Sequence, residues 1–167
     1  MFVSKADFRF NCAHFIAFKG FRERLHGHNY LLSIKITGSD TIGDDGYVID
    51  FGDVKKATRK LCKQMNEYFL CPMKSDVLTI SEIDQQVCLV CEDGSNFSFP
   101  KKDVMMLPIM HSSAEELSHY FWCKIIRSAV ISQIRCTIGD TNMITMVPLL
   151  LLICLIEWRD DIEHKCV

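Results

Sequence analysis

The chain has 167 residues, 49% of them hydrophobic, enough for one domain with its own core and against a disordered chain. Its 19 basic and 21 acidic residues leave a formal charge of -2, which excludes a general attraction to nucleic acid but not a local basic pocket. Nine cysteines, an odd number, and a Met1-Phe2-Val3-Ser4 start without a charged-then-apolar leader predict a reducing, cytoplasmic setting.

From Lys5 to His14, Phe8, Phe10 and Cys12 alternate with Arg9 and Asn11, which predicts a strand. Phe15 to Arg24, with Gly20 and several charges, reads as a loop. Leu25 to Thr37 alternates again, with Tyr30, Leu32, Ile34 and Ile36 on one side. Gly38 to Gly46 is a turn by composition, and Tyr47 to Phe51 ends the hairpin. Asp53 is placed as an N-cap, and Val54, Ala57, Leu61 and Met65 predict a helix from Val54 to Phe69 that Pro72 closes.

Val87–Val90 and Phe97–Phe99 predict a hairpin around Asp93-Gly94. Cys88 and Cys91 in it have CxxC spacing, but on a strand they face opposite sides, so no disulfide or shared metal is expected. Ser112 or Ser113 caps a second helix, with Glu115 and Glu116 in its first turn and Leu117, Phe121, Ile125 and Ala129 on its apolar face. Residues 143–156 are an apolar run broken by Pro148. The run is shorter than the roughly 20 apolar residues of a spanning helix, so a buried strand or core helix is the first reading and a membrane tail the second.

The sharpest chemical feature is Leu25-His26-Gly27-His28-Asn29-Tyr30. Histidines at i and i+2 project from one face of a strand, and Gly27 leaves the opposite face uncrowded. His14 ends the preceding strand, and antiparallel pairing brings it beside the other two. Three neutral imidazoles with one open position suit catalytic zinc, which polarises a substrate oxygen. Spacing alone equally allows an ordinary surface or core histidine pair. His111, His119 and His164 are poorer candidates on spacing.

Three segments then occur in order: Phe10-Asn11-Cys12-Ala13-His14-Phe15, Leu25-His26-Gly27-His28-Asn29-Tyr30 and Asp45-Gly46-Tyr47-Val48-Ile49-Asp50-Phe51. With the later Ser112-Ser113-Ala114-Glu115-Glu116, the series resembles the 6-pyruvoyltetrahydropterin synthase family, from about Phe2 to about Ile126. The resemblance implies an α+β tunnelling fold, an antiparallel sheet with two helices on one face. It implies Zn2+ at His14, His26 and His28, and a homo-oligomer joined by sheet edges with sites between subunits. It implies a lyase acting on 7,8-dihydroneopterin triphosphate in tetrahydrobiopterin or folate biosynthesis, with Ser113 and Glu115 as substrate contacts. A domain over residues 1–140 and a divergent apolar tail over 141–167 follow from the extent of the likeness.

Three departures bear on activity. The family's usual cysteine base before the HxH motif is absent between Ala13 and His26; Glu23 stands three residues before His26. A subgroup of the family looks like this and yields 6-hydroxymethyl-7,8-dihydropterin, with the carboxylate as general base. The alternative for Glu23 is a solvated loop charge between Arg22 and Arg24. The family's Asp-His pair is replaced by Asn66-Glu67, which leaves Glu67 as a second candidate base or an ordinary helix-end carboxylate. The family's C-terminal Ser-Glu is missing after Ile126. These changes keep open a second reading, an inactive zinc- or pterin-binding member acting as an oligomer partner.

Overall fold

The computed structural model describes residues 2–37, 46, 49–137 and 151–158. Strand β1 (Phe2–His14) and strand β4 (His26–Thr37) pair antiparallel, joined by a small hairpin of β2 (Ala17–Phe18) and β3 (Phe21–Arg22). The stretch read as a loop is therefore a hairpin; a φ of +79° at Gly20 makes its tight turn possible. Helix α1 (Phe51–Met65) crosses to β5 (Tyr68–Pro72), and strands β6 (Leu78–Ile83), β7 (Gln86–Cys91) and β8 (Asn96–Pro100) form a separate meander. Strand β9 (Val104–Leu107), helix α2 (Ala114–Thr137) and strand β10 (Leu151–Trp158) complete the order.

The main sheet runs β10-β4-β1-β5-β9. β10, β4 and β1 are antiparallel, whereas β1, β5 and β9 are parallel to one another. The fold is α+β and rich in antiparallel pairs; the α1 crossover makes the parallel β1–β5 step possible, and the excursion through β6, β7 and β8 makes the β5–β9 step possible. Phe8, Phe10 and Cys12 of β1 and Tyr30, Leu32, Ile34 and Ile36 of β4 lie on one face, as the alternation predicts. Both helices cover that face: Val54, Cys62 and Met65 of α1 and Leu117, Phe121 and Ile125 of α2 join the same core. Phe10 packs between Tyr30 (5.0 Å) and Phe121 (5.5 Å).

A second core is built by Phe15, Ala17, Phe69, Cys71, Leu78, Val87, Leu89 and Val104, with Phe97 and Phe99 against it. Strand β5 serves both cores, Leu70 in one and Phe69 and Cys71 in the other. A strand buried on both faces shows no alternation.

The first helix differs from its predicted bounds at both ends. Asp50, not Asp53, is the N-cap: its carboxylate accepts the Gly52 N–H at 2.6 Å, and Asp53 lies within the first turn. Phe51 thus starts a helix rather than ending a strand. At the other end, Asn66 Oδ1 accepts the Asn11 N–H at 3.0 Å and the Glu67 N–H donates to the Asn11 carbonyl at 2.8 Å. The chain leaves the helix for the sheet there, with Glu67 in the left-handed region at φ 67°, so Tyr68 and Phe69 are strand.

The β7–β8 hairpin stands where predicted. Cys91 is buried and Cys88 half-buried, and both are free thiols. Strand β6 carries no turn signal in the sequence, because the two-residue Asp84-Gln85 turn takes positive φ (47° and 64°) without glycine or asparagine. Of the apolar run 143–156, residues 151–156 belong to β10, which pairs with β4 from Leu151↔Thr37 to Trp158↔Tyr30. The rest of that run, the turn at 38–45, and Tyr47 and Val48 lie outside the described residues, as does the side chain of Ala129. No helix among the described residues is long and apolar enough to cross a membrane.

Candidate metal centre

The β1–β4 register sets the centre. Cys12 pairs with His28 and His14 with His26, so all three histidines stand on the helix-covered face, at the end of the row that begins with Phe8 and Phe10. Gly27 sits between them because a Cβ there would meet the Cys12 carbonyl oxygen at 3.3 Å. One ring nitrogen from each histidine lies within 4.8 Å of the others. His26 Nε2 and His28 Nε2 are 3.0 Å apart. Nitrogens bound at about 2.0–2.1 Å to one tetrahedral zinc are about 3.3 Å apart, so the set fits that ion.

The outer nitrogens are already assigned. The Ser112 hydroxyl donates to the Phe15 carbonyl at 3.1 Å, so it accepts from His14 Nδ1–H at 3.1 Å. His26 Nδ1 donates to the Arg24 carbonyl at 2.7 Å. Both rings therefore present a bare Nε2, the tautomer a metal needs. Burial first, then the neighbouring His26 and His28, holds His14 down to about 4, so it is neutral at ordinary pH. The Tyr30 hydroxyl is 3.4 Å from His14 Nε2, and burial pushes that phenol up.

Glu23 is brought to this centre. Its N–H donates to the Ile16 carbonyl at 2.9 Å and its carboxylate accepts the Ile16 N–H at 3.0 Å. It is half-buried, and its charge acts on both His14 and Tyr30. Cys12, next in the row, is no substitute base: burial pushes its thiol to about 12.

Glu67 is placed elsewhere. It is exposed and lines an open groove of about 1140 Å³ with Asn11, Arg59, Asn66 and Tyr68, which none of the three histidines lines. Ser113 is the N-cap of α2, accepting the Glu116 N–H at 3.3 Å, and the Glu116 carboxylate in turn accepts the Met110 and His111 N–H groups. Glu115 is exposed on the first turn. Sequence reasoning missed Ser112 as a support for His14. The available signal was two adjacent serines, of which a helix cap uses one.

An α+β fold whose sheet face ends in three converging imidazoles defines the class. A profile described as 6-pyruvoyl tetrahydropterin synthase matches residues 3–146, and the chain belongs to that family of pterin-biosynthesis enzymes. It is similar to the crystal structure of 6-pyruvoyl tetrahydropterin synthase from Plasmodium vivax, at 48% identity and TM-score 0.74, covering 81% of this chain and 82% of that one. Variants of the P. vivax protein replace a glutamate, described as a catalytic residue, by alanine or by cysteine. The Plasmodium falciparum enzyme is 34% identical with TM-score 0.76, covering 95% of this chain and 97% of that one. A Methanocaldococcus jannaschii protein provisionally named 6-carboxy-5,6,7,8-tetrahydropterin synthase is 29% identical over 116 residues, 70% of each chain.

Proposed function

We propose that this chain is a zinc-dependent lyase acting on 7,8-dihydroneopterin triphosphate, with Glu23 as general base and 6-hydroxymethyl-7,8-dihydropterin as product. The observation that carries the reading is a half-buried carboxylate, tethered to Ile16, whose charge acts on His14, together with three histidines whose ring nitrogens converge within 4.8 Å. The glutamate described as catalytic in the P. vivax relative supports it.

His14, His26 and His28 hold the ion, and a zinc there supplies a Lewis acid that draws charge from substrate oxygen. The remaining work falls to the chain. The Glu23 carboxylate takes the proton of a side-chain hydroxyl, whose oxygen becomes the carbonyl of a released aldehyde carrying the triphosphate; the broken carbon–carbon bond leaves its electron pair on the pterin-bound carbon, which is then reprotonated. The Ile16 N–H, donating to Oε2, keeps the carboxylate oriented. Ser112 and the Arg24 carbonyl hold the His14 and His26 rings in position. Ser113 and Glu115, at the start of α2, serve as substrate contacts, and Glu67 as a helix-end charge rather than the base. The chain assembles with copies of itself through the edges of the main sheet, β9 and β10.

The test is incubation of zinc-loaded protein with dihydroneopterin triphosphate and separation of the pterins. Release of 6-hydroxymethyl-7,8-dihydropterin is expected. A pyruvoyl product would move the chain to the family's usual reaction. No product would favour the reading in which it binds zinc or pterin as an oligomer partner.

A further inference from the structure

Arg22 makes more contacts than a hairpin residue needs. It stands at the end of β3, immediately before Glu23, with only 19% of its side chain exposed. Nε donates to Asp93 Oδ2 at 2.8 Å, Nη2 to Ser95 Oγ at 2.9 Å and Nη1 to the Glu23 carbonyl at 2.8 Å. The guanidinium lies over the rings of Phe15 (5.9 Å) and Phe97 (5.4 Å). Gly20 N–H adds a bond to Glu92 at 3.1 Å, and the Ser95 N–H holds Asp93 Oδ1 at 2.9 Å. The β2–β3 hairpin is thus fastened to the β7–β8 turn, some 70 residues further along the chain, and one arm of the fastening ends on Glu23 itself.

We propose that Arg22 is a positioning residue for Glu23, and that the β6–β8 meander, through Asp93 and Ser95, sets where that carboxylate sits relative to His14. The inference rests on the reading of Glu23 as the base. Surface ion pairs usually contribute little to stability. This one is a planar fork stacked on two aromatic rings, a geometry lysine cannot reproduce. Its benefit falls on placement: a reacting group displaced by about 1 Å can lose on the order of 10²-fold in rate.

The experiment compares Arg22→Gln, Arg22→Lys, Asp93→Asn, Glu23→Gln and the Arg22→Gln/Glu23→Gln double variant, all zinc-loaded. It reads zinc content, kcat, KM and hydrogen exchange at the Ile16 amide, which donates to the Glu23 carboxylate. Arg22→Gln is expected to lose about 10–100-fold in kcat. Its zinc content should be unchanged, its KM little changed and its Ile16 exchange faster. Arg22→Lys and Asp93→Asn should fall between it and the parent. Asp93 is on an exposed turn, so that variant carries the test should Arg22→Gln not fold. The double variant should equal Glu23→Gln alone. Full turnover in Arg22→Gln and Asp93→Asn, with Glu23→Gln inactive, overturns this inference and leaves the base assignment standing. An equal further loss on adding Arg22→Gln to Glu23→Gln also overturns it, since Arg22 would then act on the fold generally. Full turnover in Glu23→Gln overturns the base assignment and this inference with it.

Discussion

The two ends of one sheet face carry opposite cargo. At one end Phe8, Phe10, Leu32 and Ile34 are buried against the helices; at the other, with the same alternation and the same pairing, stand His14, His26 and His28. A buried phenylalanine needs only volume around it. An imidazole needs a partner for each nitrogen, and here Ser112 and the Arg24 carbonyl hold the outer nitrogens of His14 and His26 while the inner nitrogens of the three rings converge on one another. The apolar end holds the fold together; the histidine end is organised for a ligand.

If the two ends are divided in this way, substitutions should separate them. The largest effect belongs to the ligands: His26→Ala or His28→Ala should abolish stoichiometric zinc while the chain stays folded, read by metal analysis with circular dichroism alongside. Full zinc in both variants would dissolve the contrast. Glu23→Gln should keep zinc and lower product formation by roughly 10²–10⁴-fold, measured at matched metal content. At the apolar end Phe121→Ala should destabilise by about 3–5 kcal/mol in denaturant unfolding, leaving the histidine ligand set intact in the folded fraction. The sharpest test of the boundary is Ser112→Ala, which touches no metal. It should weaken zinc about 10–100-fold by releasing the His14 ring, seen in competition with a chelator. Glu67→Gln should do least, altering stability by no more than about 0.5 kcal/mol, because that carboxylate is exposed on the separate groove.

The face bearing the histidines was legible because alternation is a local property. The His26-x-His28 spacing and the end of β1 at His14 needed only strand periodicity and one antiparallel pairing. Tyr68 and Phe69, the start of β5, read as the tail of α1 because Phe69, Leu70 and Cys71 are buried in turn on opposite faces and show no polar alternation. Asn66 and Glu67 end the helix by bonding to Asn11, 55 residues away, a partner no window along the chain contains. Strand β6 was missed because Asp84 and Gln85 adopt a turn normally announced by glycine or asparagine. Glu23 is a candidate base chiefly through the family resemblance, and its tether to Ile16 and the Arg22 fork depend on tertiary packing.

The path from β1 to β4 also sets an order in time. Those strands close through a short hairpin, whereas β5 reaches β1 only after α1 has crossed over, and closing longer loops is slower. The three histidines therefore come together before β5 joins the sheet, while Ser112 arrives from 98 residues away. A metal taken up at that stage would meet the His14 ring still free to turn, and docking of the second helix would then fix it. If zinc binds there, a chain refolded with zinc present should reach its final state along a different route from one given zinc afterwards.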